Sequence, residues 1–163
     1  MDYLWSPWRY QYIAQPSEPA VCLFCEHPRN PRDEDHWVLH RGRLSFALLN
    51  LYPYTTGHLM VAPYEHLPYI SDVPLETFAE MARLLQTAEK ALRAEYRPDG
   101  LNAGINIGKS AGAGVAGHLH LHLLPRWQGD TNFMTAIAET RVLPEDLATT
   151  YRKLRPYFDA LDR

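Results

Sequence analysis

Three histidines, His118, His120 and His122, alternate with Leu119, Leu121 and Leu123 in the stretch Gly117-His118-Leu119-His120-Leu121-His122-Leu123-Leu124-Pro125. Side chains alternate across a β-strand, so the spacing puts three imidazoles on one face and three leucines on the other, core-facing one. With eight histidines in 163 residues, a shuffled chain would hold about 0.02 such triplets. An edge strand that merely needed a polar face would be served as well by Lys, Thr or Glu. Alternate side chains on a strand stand about 6.6 to 7 Å apart, so at most one or two of the three can reach a common metal ion. A neutral imidazole is also a nucleophile and exchanges protons near neutral pH, which suits phosphoryl or nucleotidyl transfer through a phospho-histidine.

Two further stretches carry chemistry. Cys22-Leu23-Phe24-Cys25 holds both cysteines of the chain in one C-x-x-C, too few for a disulfide framework and open to metal binding or to redox chemistry. Gly108 to Gly117 contains four of the nine glycines but no G-x-x-x-x-G-K-[ST]. It is therefore not a P-loop, although repeated glycines let backbone N–H groups converge on an anion just ahead of the histidines.

The elements that must position these residues are short. Thirteen prolines spread along 163 residues disfavour a long helical bundle, and the chain length suits one domain. Residues 1–36 read as an irregular arm carrying the C-x-x-C, and 37–163 as the folded domain. Trp37–His40, Leu44–Leu49 and His58–Ala62 read as three successive strands; Leu101–Ile107 and Leu119–Leu124 read as two more. Between the two sets, Leu75, Phe78, Ala82, Leu85, Leu92 and Tyr96 predict a helix over 74–96, with Pro74 at its first position and Ser71 or Asp72 near enough to cap it. Leu147, Tyr151, Leu154, Phe158 and Leu161 predict a C-terminal helix that Pro156 should kink or split. The class is α+β: an antiparallel meander of about five strands, one long helix and a terminal one.

Composition excludes several functions. Sixteen Lys and Arg against nineteen Asp and Glu give a net charge of −3 without a basic stripe, so no nucleic-acid polymer is expected as a partner. No apolar run is long enough to span a membrane and the first residues lack a signal-peptide pattern, which predicts a cytoplasmic protein.

The histidine stretch resembles the signature of the histidine-triad (HIT) family. Asn50, eight residues before His58, then His58-Leu59-Met60-Val61-Ala62-Pro63-Tyr64-Glu65-His66, and Leu101-Asn102 with Asn106 ahead of the glycine-rich loop match the same family in order. Leu4-Trp5-Ser6-Pro7-Trp8-Arg9, Asn50-Leu51-Tyr52-Pro53-Tyr54, Pro125-Arg126-Trp127 and Asp130-Thr131-Asn132-Phe133 resemble its bacterial branch of diadenosine tetraphosphate phosphorylases.

The resemblance implies roles. His120 would attack the α-phosphorus of a nucleotide and carry a covalent nucleotidyl group, His122 would bond the phosphate or leaving group, and His58 would support them from the neighbouring strand or be simply a satisfied buried histidine. Asn50 would hold the ribose hydroxyls, or serve only as a turn former, and Leu48 and Leu51 would line the base pocket, positions that are otherwise ordinary core leucines. Asn106, Gly112 and Val115 would complete the nucleotide site. Many members carry a Gln after the Ala-Gly of the glycine loop; Ala113 and Gly114 stand in that region here, with one apparent extra residue, so hydrolysis need not be the preferred reaction. Cys22, Cys25, His66 and His118 would bind a structural zinc, with a redox pair or free thiols as the rival; no organic cofactor is implied. The substrate would be an adenine nucleotide or dinucleoside polyphosphate, the acceptor phosphate or water, and the protein a homodimer with joined sheets. A nucleoside phosphoramidase and a zinc-stabilised nucleotide-binding module without catalysis are the alternative functions.

Overall fold

The computed structural model describes residues 21–131 and 143–162. The expected matches at residues 4–9 and at Asn132 and Phe133 lie outside them. Five strands form one antiparallel sheet: β1 Val38–Arg41, β2 Ser45–Leu49, β3 Leu59–Pro63, β4 Gly100–Ile105 and β5 Leu121–Arg126. Among the described residues three α-helices accompany them, α1 Leu23–Glu26, α2 Leu75–Tyr96 and α3 Leu147–Asp159.

Period-two alternation sorts the strands into two packed faces. Leu39, Ala47, Leu49, Leu59, Val61, Leu121 and Leu123 face α2 and α3, where Met81, Leu84, Ala88, Ala91, Leu92, Leu154 and Phe158 close the main core. Val38, Phe46, Leu48, Met60 and Ala62 face the other way and pack against Phe24 of α1. Each fully buried Leu or Phe in these layers contributes about 1.5 to 3 kcal/mol from area removed from water.

The sheet follows sequence order only as far as β3. Its order is β1-β2-β3-β5-β4, so the chain crosses through α2 to the edge, lays down β4, and returns to insert β5 beside β3. Strand assignment is also later than expected at the histidines: β5 begins at Leu121, and His118 to His120 form its extended lead-in, held by the Leu119 N–H donating to the Leu67 carbonyl at 2.7 Å.

Helix α2 is where the spacing predicts it, but rotated by about one residue. Thr77, Met81, Leu84, Ala88, Ala91 and Leu92 are buried, whereas Leu75 is 84% exposed and Phe78 and Leu85 sit at the rim of the core. The expected stripe includes Ala82, which is exposed, and misses Met81, Leu84, Ala88 and Ala91, which are buried against the sheet. Pro74 is the residue before the first helical one; Ser71 and Asp72 belong to a separate 3-10 turn and do not cap it. Helix α3 is continuous through Pro156, with Asp146 capping its N-terminus by accepting from the Thr149 N–H at 2.7 Å, an interaction of about 1 kcal/mol. Leu161 falls beyond the helix and is exposed. Among the described residues, no helix is long and apolar enough to cross a membrane.

Candidate active site and metal centre

The site grows from one row of the sheet. Leu48 pairs with Met60, Met60 with His122, and His122 with Gly104, so these positions share the face opposite α2 and α3. Burial is nearly complete: His58 and His118 are 1% exposed, His120 3% and His122 9%. The histidine face is thus no solvent-facing edge: Phe24 lies against His118 and His120, and Tyr54 against His58 and His122.

Hydrogen bonds order the protons. The Tyr54 amide donates to Nδ1 of His58 at 3.1 Å, which leaves the His58 proton on Nε2. That Nε2–H donates to Nδ1 of His122 at 3.0 Å, so neutral His122 carries its own proton on Nε2. Burial, aided by the neighbouring His120, lowers the His122 pKa to about 4 and keeps the ring neutral at pH 7. His120 donates Nδ1–H to the His118 carbonyl at 2.8 Å, leaving the lone pair on Nε2. Burial lowers its pKa as well. The result is one ring with a free basic nitrogen and, 4.7 Å away between centroids, another presenting an N–H.

The second cluster lies directly beside the first. Cys25 Sγ is 3.3 Å from His66 Nδ1, and His118 Nδ1 is 3.5 Å from Cys22 Sγ and 3.7 Å from Cys25 Sγ. All four ligand atoms fall within 4.8 Å of one another. A tetrahedral zinc with bonds of 2.0 to 2.3 Å separates its ligands by about 3.3 to 3.8 Å, so the set fits that ion. His118 donates Nε2–H to the Pro63 carbonyl at 2.9 Å, which aims the Nδ1 lone pair at the thiols. Burial first, then the nearby His66 and His120, bring its pKa down to about 4 and hold it in the neutral ligand form. Gly117 leaves the His66 ring room: a Cβ on it would stand 3.1 Å from Nε2 of His66, tighter than ordinary contact.

The expected nucleotide residues are only partly gathered. Leu48 is fully buried and Val115 packs against the same apolar cluster, while Leu51 is half-buried in the turn after β2 and Asn106 is half-buried just past β4. Asn50 directs Nδ2 to His58 Nδ1 at 3.3 Å and accepts the Tyr52 N–H on Oδ1 at 2.9 Å. In this arrangement it braces His58 and the turn. In the glycine-rich loop, Gly112 has φ +89°, a conformation that favours glycine. The amides of Ala111, Gly112 and Ala113 bond carbonyls of the loop itself rather than converging outward.

Two residues of the site escape a reading of the sequence. Tyr54 supplies the amide that sets the His58 tautomer and packs its ring 4.7 Å from that of His58; a backbone donor leaves no signal in side-chain type. Phe24 stacks on His120, with centroids 4.6 Å apart and 30° between planes. Its position inside the C-x-x-C was the available clue.

A five-stranded antiparallel sheet that buries an alternating histidine row is the architecture of the HIT domain, and the chain belongs to that family: the family model matches residues 32–129. The chain is 40% identical over 163 aligned residues to the AP-4-A phosphorylase of Mycobacterium tuberculosis, covering 93% of this chain and 81% of that one. It is 36% identical over 93 residues to the bis(5'-adenosyl)-triphosphatase of Dictyostelium discoideum, covering 57% and 62%. Among solved structures, a Zn-bound histidine triad family protein from Mycobacterium smegmatis superimposes with a TM-score of 0.67 at 33% identity, over 87% of this chain and 96% of its own.

Proposed function

We propose that the protein is an enzyme that cleaves dinucleoside polyphosphates of the diadenosine tetraphosphate type at an α-phosphorus, through a nucleotidyl group on His120. The observation that carries this reading is the proton order: His120 has its Nε2 lone pair free while His122 presents Nε2–H beside it. The His120 nitrogen forms a bond to the α-phosphorus as the bond to the departing nucleoside polyphosphate breaks, and His122 donates a hydrogen bond to the oxygen that accumulates charge. An oxygen of inorganic phosphate or of water then attacks the same phosphorus, the N–P bond breaks, and His120 recovers its lone pair. From diadenosine tetraphosphate the first step releases ATP, and the second yields ADP with phosphate or AMP with water. Phosphorolysis is favoured because the relative named a phosphorylase matches 93% of the chain; the relative named a triphosphatase matches 57%.

On this reading Leu48, Leu51, Asn106, Gly112 and Val115 surround the nucleotide, and Asn50 reaches the ribose by exchanging its bond to His58. Zinc held by Cys22, Cys25, His66 and His118 is structural, since four protein ligands leave no open coordination position. It ties the arm up to residue 36 to the domain of residues 37–163. The outer edge of β4 would join two sheets in a cytoplasmic homodimer; light scattering that returns a monomer of 18.8 kDa at micromolar concentration overturns the dimer.

The test is rapid-quench of the purified enzyme with diadenosine tetraphosphate labelled at the α-phosphorus. Label is expected on wild-type protein and absent from His120→Asn; equal labelling of both refutes His120 as nucleophile. ADP formed only with inorganic phosphate identifies phosphorolysis, whereas AMP regardless of phosphate identifies hydrolysis.

A further inference from the structure

Phe24 falls between the two cysteines of the metal cluster in the sequence and is 1% exposed. Its ring stacks on that of His120 at 4.6 Å and meets that of His118 at 5.2 Å. Helix α1 has only four residues and lacks a side-chain cap, and a single turn of helix does not persist by itself in water. What holds it is its side chains: Phe24 in the apolar cluster with Val38, Phe46, Leu48, Met60 and Ala62, and Cys22 and Cys25 at the metal cluster.

The His120 ring has three visible neighbours: its Nδ1–H bonds the His118 carbonyl, the His122 ring meets it edge-on, and Phe24 alone lies along its face. One hydrogen bond fixes a point on the ring rather than its plane, so the face contact is what defines the plane. We propose that Phe24 is a positioning residue for His120, and that it makes occupancy of the Cys22-Cys25-His66-His118 cluster set the aim of the His120 Nε2. The inference rests on the reading of His120 as nucleophile and of the cluster as a zinc site. It adds that the two are mechanically linked through one aromatic ring. A metal that served only global stability would leave the geometry of His120 unchanged in protein that remains folded.

Two variants separate the stack from simple packing. Phe24→Met keeps an apolar side chain of similar bulk but no ring, and Phe24→Tyr keeps the ring. With zinc content held at one per chain, the nucleotidylation rate of Phe24→Met is expected to fall by on the order of tenfold with KM unchanged, and Phe24→Tyr to recover most of it. The second readout needs no turnover. In the NMR spectrum of imidazole-labelled protein, the Cε1–H of His120 should move downfield when the ring above it is lost. Phe24→Met and zinc removal from the wild type by a chelator should shift it in the same direction, while core methyl resonances report a folded chain. A His120 resonance unmoved by chelation, or a Phe24→Met rate equal to wild type, overturns the proposal. If no label forms on His120 even in the wild type, the nucleophile reading fails separately, and the resonance shift still decides whether the metal cluster and His120 are linked.

Discussion

His58 and His122, 64 residues apart, meet through a single hydrogen bond of 3.0 Å whose direction is dictated by the Tyr54 amide on the far side of the His58 ring. His122 receives at Nδ1 and must present N–H at Nε2. Reversing that order would point a lone pair at an anionic substrate.

Removing His58 should therefore damage catalysis more than binding. His58→Ala is expected to lower kcat by on the order of 10²-fold with KM little altered, since His122 loses the bond that orients its N–H beside His120. Steady-state kinetics check this; a change of no more than twofold in kcat would reduce His58 to a packing residue.

The metal cluster should be visible in stability. At free zinc a thousand times its Kd, binding adds about 4 kcal/mol, so a chelator should lower Tm by about 10 °C in a chain of this size. Cys25→Ser should bind less than one zinc per chain and show no further drop with chelator. A Tm indifferent to chelation would remove the structural role.

Gly117→Ala tests the same cluster from its crowded side. The added Cβ stands 3.1 Å from Nε2 of exposed His66, so the ring must give by a few tenths of an ångström and its Nδ1 moves off its aim at the cluster. Zinc affinity measured by chelator competition should fall roughly tenfold, whereas Gly104→Ala, where a Cβ meets nothing within 4 Å, should leave zinc affinity unchanged.

Acid sensitivity has an identifiable source at Glu80. Its Oε1 accepts from the Leu44 and Ser45 amides and the Ser45 hydroxyl at 2.8 to 2.9 Å. Burial alone would raise its pKa, but these bonds outweigh that and lower it below the ordinary 4.5. A carboxylate whose pKa is lower folded than unfolded stabilises above about pH 4.5, and the contribution disappears as pH falls through the folded pKa. Urea denaturation should show Glu80→Gln costing about 1 to 2 kcal/mol at pH 7, with the difference shrinking as pH falls below the ordinary carboxylate range. A pH-independent difference would contradict the charge-based account.

Much of the fold was legible in the sequence because it is written in alternation. Strands β1 to β5 and the leucine side of His118–Leu124 follow from period-two apolar runs, and the gathering of Cys22, Cys25, His66 and His118 into one cluster follows from a C-x-x-C with two histidines in a family pattern. What escaped has physical reasons. In α2 both Leu84 and Leu85 are apolar, and which of them faces the sheet, with Met81, Ala88 and Ala91 on the buried side, is decided by tertiary packing that residue type leaves open. The insertion of β5 between β3 and β4 depends on pairing choices that every strand could satisfy locally. Asn50 bracing His58 and Phe24 facing His120 are tertiary meetings, which no residue type announces by itself.

The strand order bears on how the chain acquires activity. Strands β1 to β3 can zip from local hairpins, but β5 has to find β3 across nearly sixty residues while docking on β4, the slow, high-contact-order closure of this topology. A nascent chain that has not yet released residue 122 has no triad, however much of its sheet has formed. Because His120 and His122 come with the strand that closes the sheet, recovery of activity during refolding should lag behind recovery of secondary structure.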